Sequence, residues 1–310
     1  MHQHAKPILR LDFSDFGGID KVNNWFTRIL GQVFNVVISD RPDLLIFQEG
    51  GHLNRLYTCK KLFWTGESTK PDWNRTDYAM TCHYIDSPRH LRFPYYVWGA
   101  EASPTDLIKT PTEADEIARE DRAFCSTVIS NANPKRAQER IKFFHLLSNR
   151  KRIDSGGKFQ NNVGMVPPGG GPKHSFIKKY KFNLCYENKS LPGYTTEKIV
   201  QAMAARCIPI YWGNPLVEND FNTRSFLYRY NFPDDESFID HIIEVDSDRE
   251  LYLEYLRQPF FHSNTPNDYY NENRILNFLI NIIDSNDKPV SQTRRKFTIG
   301  RWTFAKRQHF

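Results

Sequence analysis

No stretch of 18 or more apolar residues occurs in this 310-residue chain, so it offers no segment able to cross a membrane as a helix. Its first residues, Met1-His-Gln-His-Ala-Lys-Pro7, lead directly into the strand-like Ile8-Leu-Arg-Leu-Asp-Phe13 and carry no signal-peptide core. Cysteine is scarce as well. The five thiols, Cys59, Cys82, Cys125, Cys185 and Cys207, are odd in number, widely spaced and mostly set in apolar runs, which argues against a disulfide framework and predicts reduced core thiols. No pair has zinc-ligand spacing and the ten histidines form no His-x-x-x-His, so no structural metal is expected. Internal repeats are absent. What is present is 39% hydrophobic and 14% aromatic residues, too apolar for a disordered chain and enough for two domains of ordinary size.

An excess of either charge is also missing from the body of the chain. The net charge is +6, yet residues 294–310 hold six of the 42 Lys/Arg and no Asp/Glu, leaving 36 cations against 36 acids elsewhere. A neutral body argues against a nucleic-acid protein. The basic tail, with Phe297, Trp302, Phe304 and Phe310 among its cations, suits an anionic membrane surface; the other reading is a solvated terminus.

Short apolar runs at 8–13, 33–38, 44–47, 61–64, 79–84 and 95–98, with a helical segment at 21–30, predict a parallel α/β sheet. Residues 104–120 are polar and helix-like with little to bury, and serve as a boundary element. A second α/β unit begins with the strand 123–130, followed by the turn 131–134, a helix at 135–147, the strand-like 152–154 and a loop at 155–171. Its Pro167-Pro-Gly-Gly-Gly-Pro172 is expected to lack regular structure, as a connector or a mobile flap. Helical patterns at 236–244, 247–256 and 268–284 close the chain. The division expected is 1–122, 123–285 and a tail at 286–310.

The densest signal lies in Tyr180-Lys-Phe-Asn-Leu-Cys-Tyr-Glu-Asn-Lys-Ser-Leu-Pro-Gly-Tyr-Thr-Thr-Glu-Lys198 and the strand Ile208-Pro-Ile-Tyr-Trp212 after it. An apolar run, 182–186, gives way to loop residues 188–193, and Thr195 or Thr196 is a good N-cap for a helix from Glu197 to about Ala205. Lys198 therefore falls in the first helical turn, where unpaired amides and the macrodipole disfavour a cation by roughly 0.3 to 1 kcal/mol. A bound phosphate at the helix N-terminus would offset that cost. The plainer alternative is a solvated Glu197–Lys198 pair, but neighbours at i and i+1 do not face each other on a helix.

This block resembles the donor-binding signature of the α-1,3/4-fucosyltransferases, and most of all the bacterial enzymes of the Helicobacter type. Two further segments are similar to that family. One is Lys61-Leu-Phe-Trp-Thr-Gly-Glu-Ser-Thr-Lys-Pro-Asp-Trp-Asn-Arg-Thr-Asp-Tyr78. The other comprises Ser130-Asn131, Gln138-Glu139-Arg140, Phe143-Phe144 and Asp154-Ser-Gly-Gly-Lys-Phe-Gln-Asn-Asn-Val-Gly164, so the likeness runs from about Leu11 to about Phe221.

The resemblance implies the GT-B fold, two Rossmann-like domains facing a cleft, with the donor at the strand ends of the second domain. It implies inverting transfer of L-fucose from GDP-fucose to the GlcNAc 3-hydroxyl of N-acetyllactosamine-type glycans, a Lewis-x-like product on lipopolysaccharide O-antigen. The alternatives are a nucleotide-sugar-binding module without catalysis, or a glycosyltransferase with another donor or acceptor. Glu67 matches the family's base; partial desolvation beside Phe63 and Trp64 is expected to fit it to take a proton. Arg140 and Lys198 match the pyrophosphate contacts, with Arg136 a possible substitute for Arg140. Asn188, Tyr194 and Glu197 match donor contacts, Glu197 either on the ribose or on the reacting sugar. No cofactor or dedicated metal is implied, a divalent ion being at most stimulatory. Val245-Asp-Ser-Asp248 looks like a metal-binding Asp-x-Asp, but it precedes Arg249-Glu250-Leu251, so Asp246 and Asp248 are read as capping and beginning a helix. A cytoplasmic location follows from the resemblance and the missing anchor.

Overall fold

The computed structural model describes residues 5–131, 133, 137–166 and 170–293. The basic tail 294–310, Arg136 and residues 167–169 lie outside the described residues. Strands β1 (Ile8–Ser14), β2 (Asn35–Ile38), β3 (Leu44–Phe47), β4 (Lys60–Trp64), β5 (Tyr78–Thr81) and β6 (His90–Arg92) form one sheet in the order β2-β1-β3-β4-β5-β6. Strands β7 (Ala123–Thr127), β8 (Ile153–Ser155), β9 (Tyr180–Tyr186), β10 (Ile208–Trp212) and β11 (Leu227–Tyr228) form a second, in the order β11-β10-β9-β7-β8. Every pairing in both sheets is parallel. This is the GT-B arrangement. Parallel strands are covered on both faces, which is why β3 reads Leu-Leu-Ile-Phe with all four residues buried instead of alternating.

Helices α1 (Trp25–Leu30), α2 (Tyr96–Gly99), α3 (Glu113–Ile117), α4 (Gln138–Arg150), α5 (Gly170–Ile177), α6 (Glu197–Ala204), α7 (Asp235–Ser247), α8 (Arg249–Arg257) and α9 (Glu272–Asp284) flank the sheets. Side chains at two helix starts cap them: Asn24 Oδ1 accepts from the Phe26 and Thr27 amides, which begins α1 later than the expected residue 21, and Asp248 accepts from the Glu250 and Leu251 amides. Asp246, expected to cap α8, lies inside α7 instead and pairs with Lys151 and Lys181, and Asp248 is the cap.

Several expectations change. The apolar run 95–98 forms the end of a turn and the short helix α2, because Pro94 and the packing of Tyr96 into the second half's core take it off the sheet. Gly170-Gly171-Pro172 is the first turn of α5, where missing intrahelical donors make proline tolerable. The boundary segment is not idle: Leu107, Ala114 and Ile117 are buried in the second half's core. Conversely α9, grouped by sequence with the second domain, buries Ile275, Leu276, Leu279 and Ile282 in the first half's core with α1 and the first sheet. Arg28 of α1 meets Glu272 at 2.6 Å, and Lys60 donates to the Ile282 carbonyl at 2.7 Å.

The two halves are joined by a buried ion pair. Arg92, at the end of β6, makes a two-pronged contact with Asp220, its terminal nitrogens 2.7 and 2.9 Å from the two carboxylate oxygens. It also donates to the carbonyls of Cys82 and Gly193 at 3.1 and 3.2 Å, and lies between the rings of Tyr84 and Tyr269. Asp220→Asn keeps the shape but leaves the guanidinium buried without its counter-charge. The expected cost is roughly 3 to 5 kcal/mol, read as a lower urea midpoint; a midpoint equal to wild type would show the pair to be dispensable.

Candidate active site

One cavity of roughly 470 Å³ lies between the halves, within the usual range for small-molecule sites. It opens where the strands of both sheets end. Gln48 and Glu49 follow β3, Thr65 to Glu67 follow β4, Ser130 and Asn131 follow β7, and Asn188 follows β9. All six residues singled out from the sequence, Glu67, Arg140, Asn188, Tyr194, Glu197 and Lys198, line it. Glu67 and Arg140 lie far along the chain from the other four, and folding brings them together.

Glu67 is held by its own turn: its amide donates to Thr65 Oγ1 at 2.8 Å, and its Oε2 accepts from the Tyr194 hydroxyl at 3.1 Å. That second contact crosses from one half to the other. The carboxylate is exposed, so the desolvation expected beside Phe63 and Trp64 is absent; those rings point into the cores and the turn after β4 carries Glu67 outward. Gly66 is needed here, since a Cβ would stand 2.1 Å from the Tyr95 ring. Tyr194 itself is buried, and burial together with Glu187 and Glu67 pushes its hydroxyl well above the usual phenol range. It is a donor only.

Arg140 rises from the first turn of α4, 3% exposed, and donates to the Asn131 carbonyl at 3.3 Å and to Asn188 Oδ1. Its Nε has no partner among the described residues, and burial lowers its basicity. Arg140 is thus the cation that reaches the cavity from this helix.

Thr196 occupies the N-cap position of α6, yet its hydroxyl does not cap the helix. It donates instead to Glu187 at 2.7 Å, as does its amide, also at 2.7 Å, while Lys198 Nζ donates to Thr196 Oγ1 at 2.8 Å and to Glu187 at 3.1 Å. Thr195 turns away to Asp220. The protein's own anions at this helix start are Glu197, which despite being adjacent accepts from Lys198 Nζ at 3.3 Å, and Glu187, which is fully buried; burial lifts the Glu187 carboxyl above the ordinary range against the pull of Lys198. Lys198 is held above its ordinary value by Glu187 and Glu197, which outweigh desolvation. Burial opposes ionisation of Glu197 too, but Lys198 and Lys173 keep it below the usual carboxylate range.

The sequence reading passed over Glu187, Glu49 and Lys173. Glu187 sits inside the recognised Tyr186-Glu187-Asn188 turn without an assigned role. Glu49 lies two residues past β3, much as Glu67 lies three past β4: its Oε1 accepts from Thr65 Oγ1 at 2.8 Å, and its buried Oε2 has no partner among the described residues. That position just past an apolar strand was its signal. Asp246 and Asp248 do not line the cavity, and among the described residues no three His, Cys, Asp or Glu side chains converge as a metal cage.

Comparison with known proteins agrees with this geometry. Residues 11–98 match the family described as alpha-(1,3)-fucosyltransferase FucT N-terminal domain. Residues 118–274 match glycosyltransferase family 10 (fucosyltransferase), C-terminal part. The chain is 28% identical to alpha-(1,3)-fucosyltransferase FucT of Helicobacter pylori over 92% of its own length and 68% of that protein's. With the mouse (Mus musculus) 4-galactosyl-N-acetylglucosaminide 3-alpha-L-fucosyltransferase 9 it shares 29% identity, over 45% of this chain and 38% of the relative. A crystal structure of an alpha1,3-fucosyltransferase with GDP-fucose superimposes with a TM-score of 0.76 at 27% identity, covering 93% of this chain and 94% of the other. With residues 118–274, half of the chain, matched by that family and nearly the whole chain superimposing on a solved alpha1,3-fucosyltransferase, the chain belongs to glycosyltransferase family 10, the fucosyltransferases.

Proposed function

We propose that the cavity binds GDP-fucose and transfers its fucose, with inversion, to the 3-hydroxyl of GlcNAc in an N-acetyllactosamine-type glycan. The observation that carries this is the pairing of opposite chemistries across one cavity: the exposed carboxylate of Glu67 on the first half, and the cations Arg140 and Lys198 with Asn188 on the second. Glu67 takes the proton from the acceptor hydroxyl as that oxygen bonds to the sugar's anomeric carbon. The bond from that carbon to the diphosphate oxygen breaks on the opposite face, and the leaving GDP keeps the electron pair. Arg140 and Lys198 meet the charge that develops there, fixed in place before reaction. The Tyr194 hydroxyl orients Glu67, and Glu197 is placed for hydroxyls of the ribose. The α-1,3 linkage and the acceptor class rest on the relatives' names, and Lewis-x on O-antigen on the Helicobacter likeness. Membrane contact through residues 294–310 rests on their six cations without an acid. NMR of the product from GDP-fucose and an acceptor panel tests linkage and anomer together; a β-configured retained product, or no transfer, would overturn the assignment.

Glu67→Gln is expected to lower kcat by roughly 10²- to 10⁴-fold while GDP affinity stays near wild type, because only the proton acceptor is lost. A variant keeping more than about a tenth of wild-type kcat would remove Glu67 from this role.

Lys198→Ala takes the cation from both a ligand diphosphate and Glu187. It should weaken GDP binding in calorimetry and also destabilise the fold, by up to roughly 3 to 5 kcal/mol at neutral pH. The pH dependence has a definite sign. Burial holds the folded Glu187 carboxyl high, and without Lys198 it rises further. The deficit is therefore small below the unfolded value of about 4.3 and grows as pH rises through the folded one. Urea unfolding of both proteins at acidic and neutral pH checks it; equal deficits at the two would show that Glu187 is not the group left uncompensated.

Transfer should persist in EDTA, since side chains hold the leaving group. Complete loss, restored by a divalent ion, would instead make a metal part of the reaction.

A further inference from the structure

Lys173 stands in the first turn of α5, 8% exposed, and lines the cavity from behind α6. Among the described residues its ammonium makes no hydrogen bond or ion pair; the charges that reach it, Glu197 and Glu101 against Lys198, act over longer distances. Lys109 shows how this protein treats a deeply buried lysine with no ligand to meet. It donates to the carbonyls of Leu256 and Gln258 at 2.7 and 2.6 Å and lies over the Phe260 ring. Lys173 has no such substitute. A lysine this deeply set, with no hydrogen-bond or ion-pair partner among the described residues, is costly to keep charged, and burial depresses its basicity.

The surroundings point to what completes it. Arg140, Lys173 and Lys198 line the main cavity together, and the same three line a narrow recess adjoining it in which no lining residue is a carboxylate. Three residues lining that recess carry a buried polar atom without a partner among the described residues: Arg140 Nε, Gln201 Oε1 and the Tyr186 hydroxyl. Lys198 is already met by Glu187, so the positive charge not answered inside the protein belongs to Arg140 and Lys173. Two uncompensated cations beside a third match an anion of more than one charge.

We propose that Lys173 is a third diphosphate-binding cation, an inference that rests on the nucleotide-sugar reading of the cavity and adds to it. Lys173 approaches the diphosphate from the α5 side while Arg140 and Lys198 hold it from α4 and α6, and the three together stabilise the departing GDP. Charge-assisted hydrogen bonds to a phosphate oxygen are among the stronger polar contacts, and this one forms from a largely buried side chain.

The test is calorimetry of wild type and Lys173→Met with GDP and with guanosine, alongside thermal melts. Methionine keeps the length and the apolar stem and removes the charge. Lys173→Gln serves in the same way should the methionine variant not fold. The expected result is GDP affinity lowered roughly 10- to 100-fold with guanosine affinity within about twofold of wild type. kcat should fall as well. GDP affinity within about twofold of wild type would overturn the proposal. So would equal weakening of GDP and guanosine, which would make Lys173 a support for Glu197 at the ribose. If wild type itself does not bind GDP, the nucleotide-sugar reading falls first and this inference with it; if wild type binds GDP and the variants match it, only Lys173 is lost.

Discussion

Between the two sheets, the guanidinium of Arg92 closes on the carboxylate of Asp220, and the site hangs from that contact. Asp220 is fully accounted for: Oδ1 takes Arg92 and, at 3.3 Å, the Tyr96 hydroxyl, while Oδ2 takes Arg92, Thr195 Oγ1 and Asn214 Nδ2. Asn214 in turn accepts the amide of Gly193 at 2.8 Å, and Arg92 donates to the Gly193 carbonyl. The loop 193–195 is therefore fixed from both halves. Gly193 has φ of 88° and a Cβ there would meet the Cys82 carbonyl at 2.2 Å, so the close approach requires glycine. Thr195 lies between Tyr194, which reaches Glu67, and Thr196, which reaches Glu187. Fixing it sets the distance between the base and the cation cluster. A buried ion pair is weak evidence of net stability against an apolar substitute, and what this one does here is hold registry between two domains.

The loss of one face from each domain to the other follows the same logic. α9 leaves the second domain to cover the first sheet, and the segment 96–117 leaves the first to cover the second. Chain crossing twice between the halves shortens the range over which they can separate. A site divided between two domains, with a carboxylate on one and cations on the other, needs such a limit, because a displacement of 1 Å is enough to cost much of the benefit of positioning.

The parts of this that were legible in the sequence are local. The strands at Leu44–Phe47, Lys60–Trp64 and Ile208–Trp212 announce themselves as apolar runs ended by turn residues, and Val245-Asp-Ser-Asp248 as a helix start, though the cap is Asp248 and not Asp246. The donor block was legible because strand, loop and helix start lie within 20 residues and each has its own chemistry. Partnerships were not. That α9 has an apolar stripe says that it buries a face, but not against which sheet. β6 has three residues, too few for a pattern, yet it carries Arg92. Glu67 was found by likeness and its surroundings misjudged, because whether a turn residue faces a core or solvent depends on the direction in which the chain leaves the strand. The cap at Thr196 was right in position and wrong in bond, since Glu187, nine residues upstream, outcompetes the helix for the hydroxyl.

That competition also resolves the oddity from which the site was first read, a lysine where the helix dipole disfavours one. Glu187 supplies the negative charge that the first turn of α6 and Lys198 both need, from beneath and out of solvent, so the cluster is stable with the cavity empty. An anion arriving from above meets a lysine whose position is already set, with its amine held by Thr196 and Glu187 instead of wandering in water. The arrangement gives up some of Lys198's attraction for a ligand, since part of its charge is answered internally. In exchange the cation does not have to be reorganised when the leaving group's charge appears, and preorganised charge is what lowers a barrier. Arg140, whose Nε has no partner, has the opposite character: more charge is left for the ligand, and burial makes that charge more costly to keep. A site that contains both kinds of cation can hold its shape with one and bind with the other.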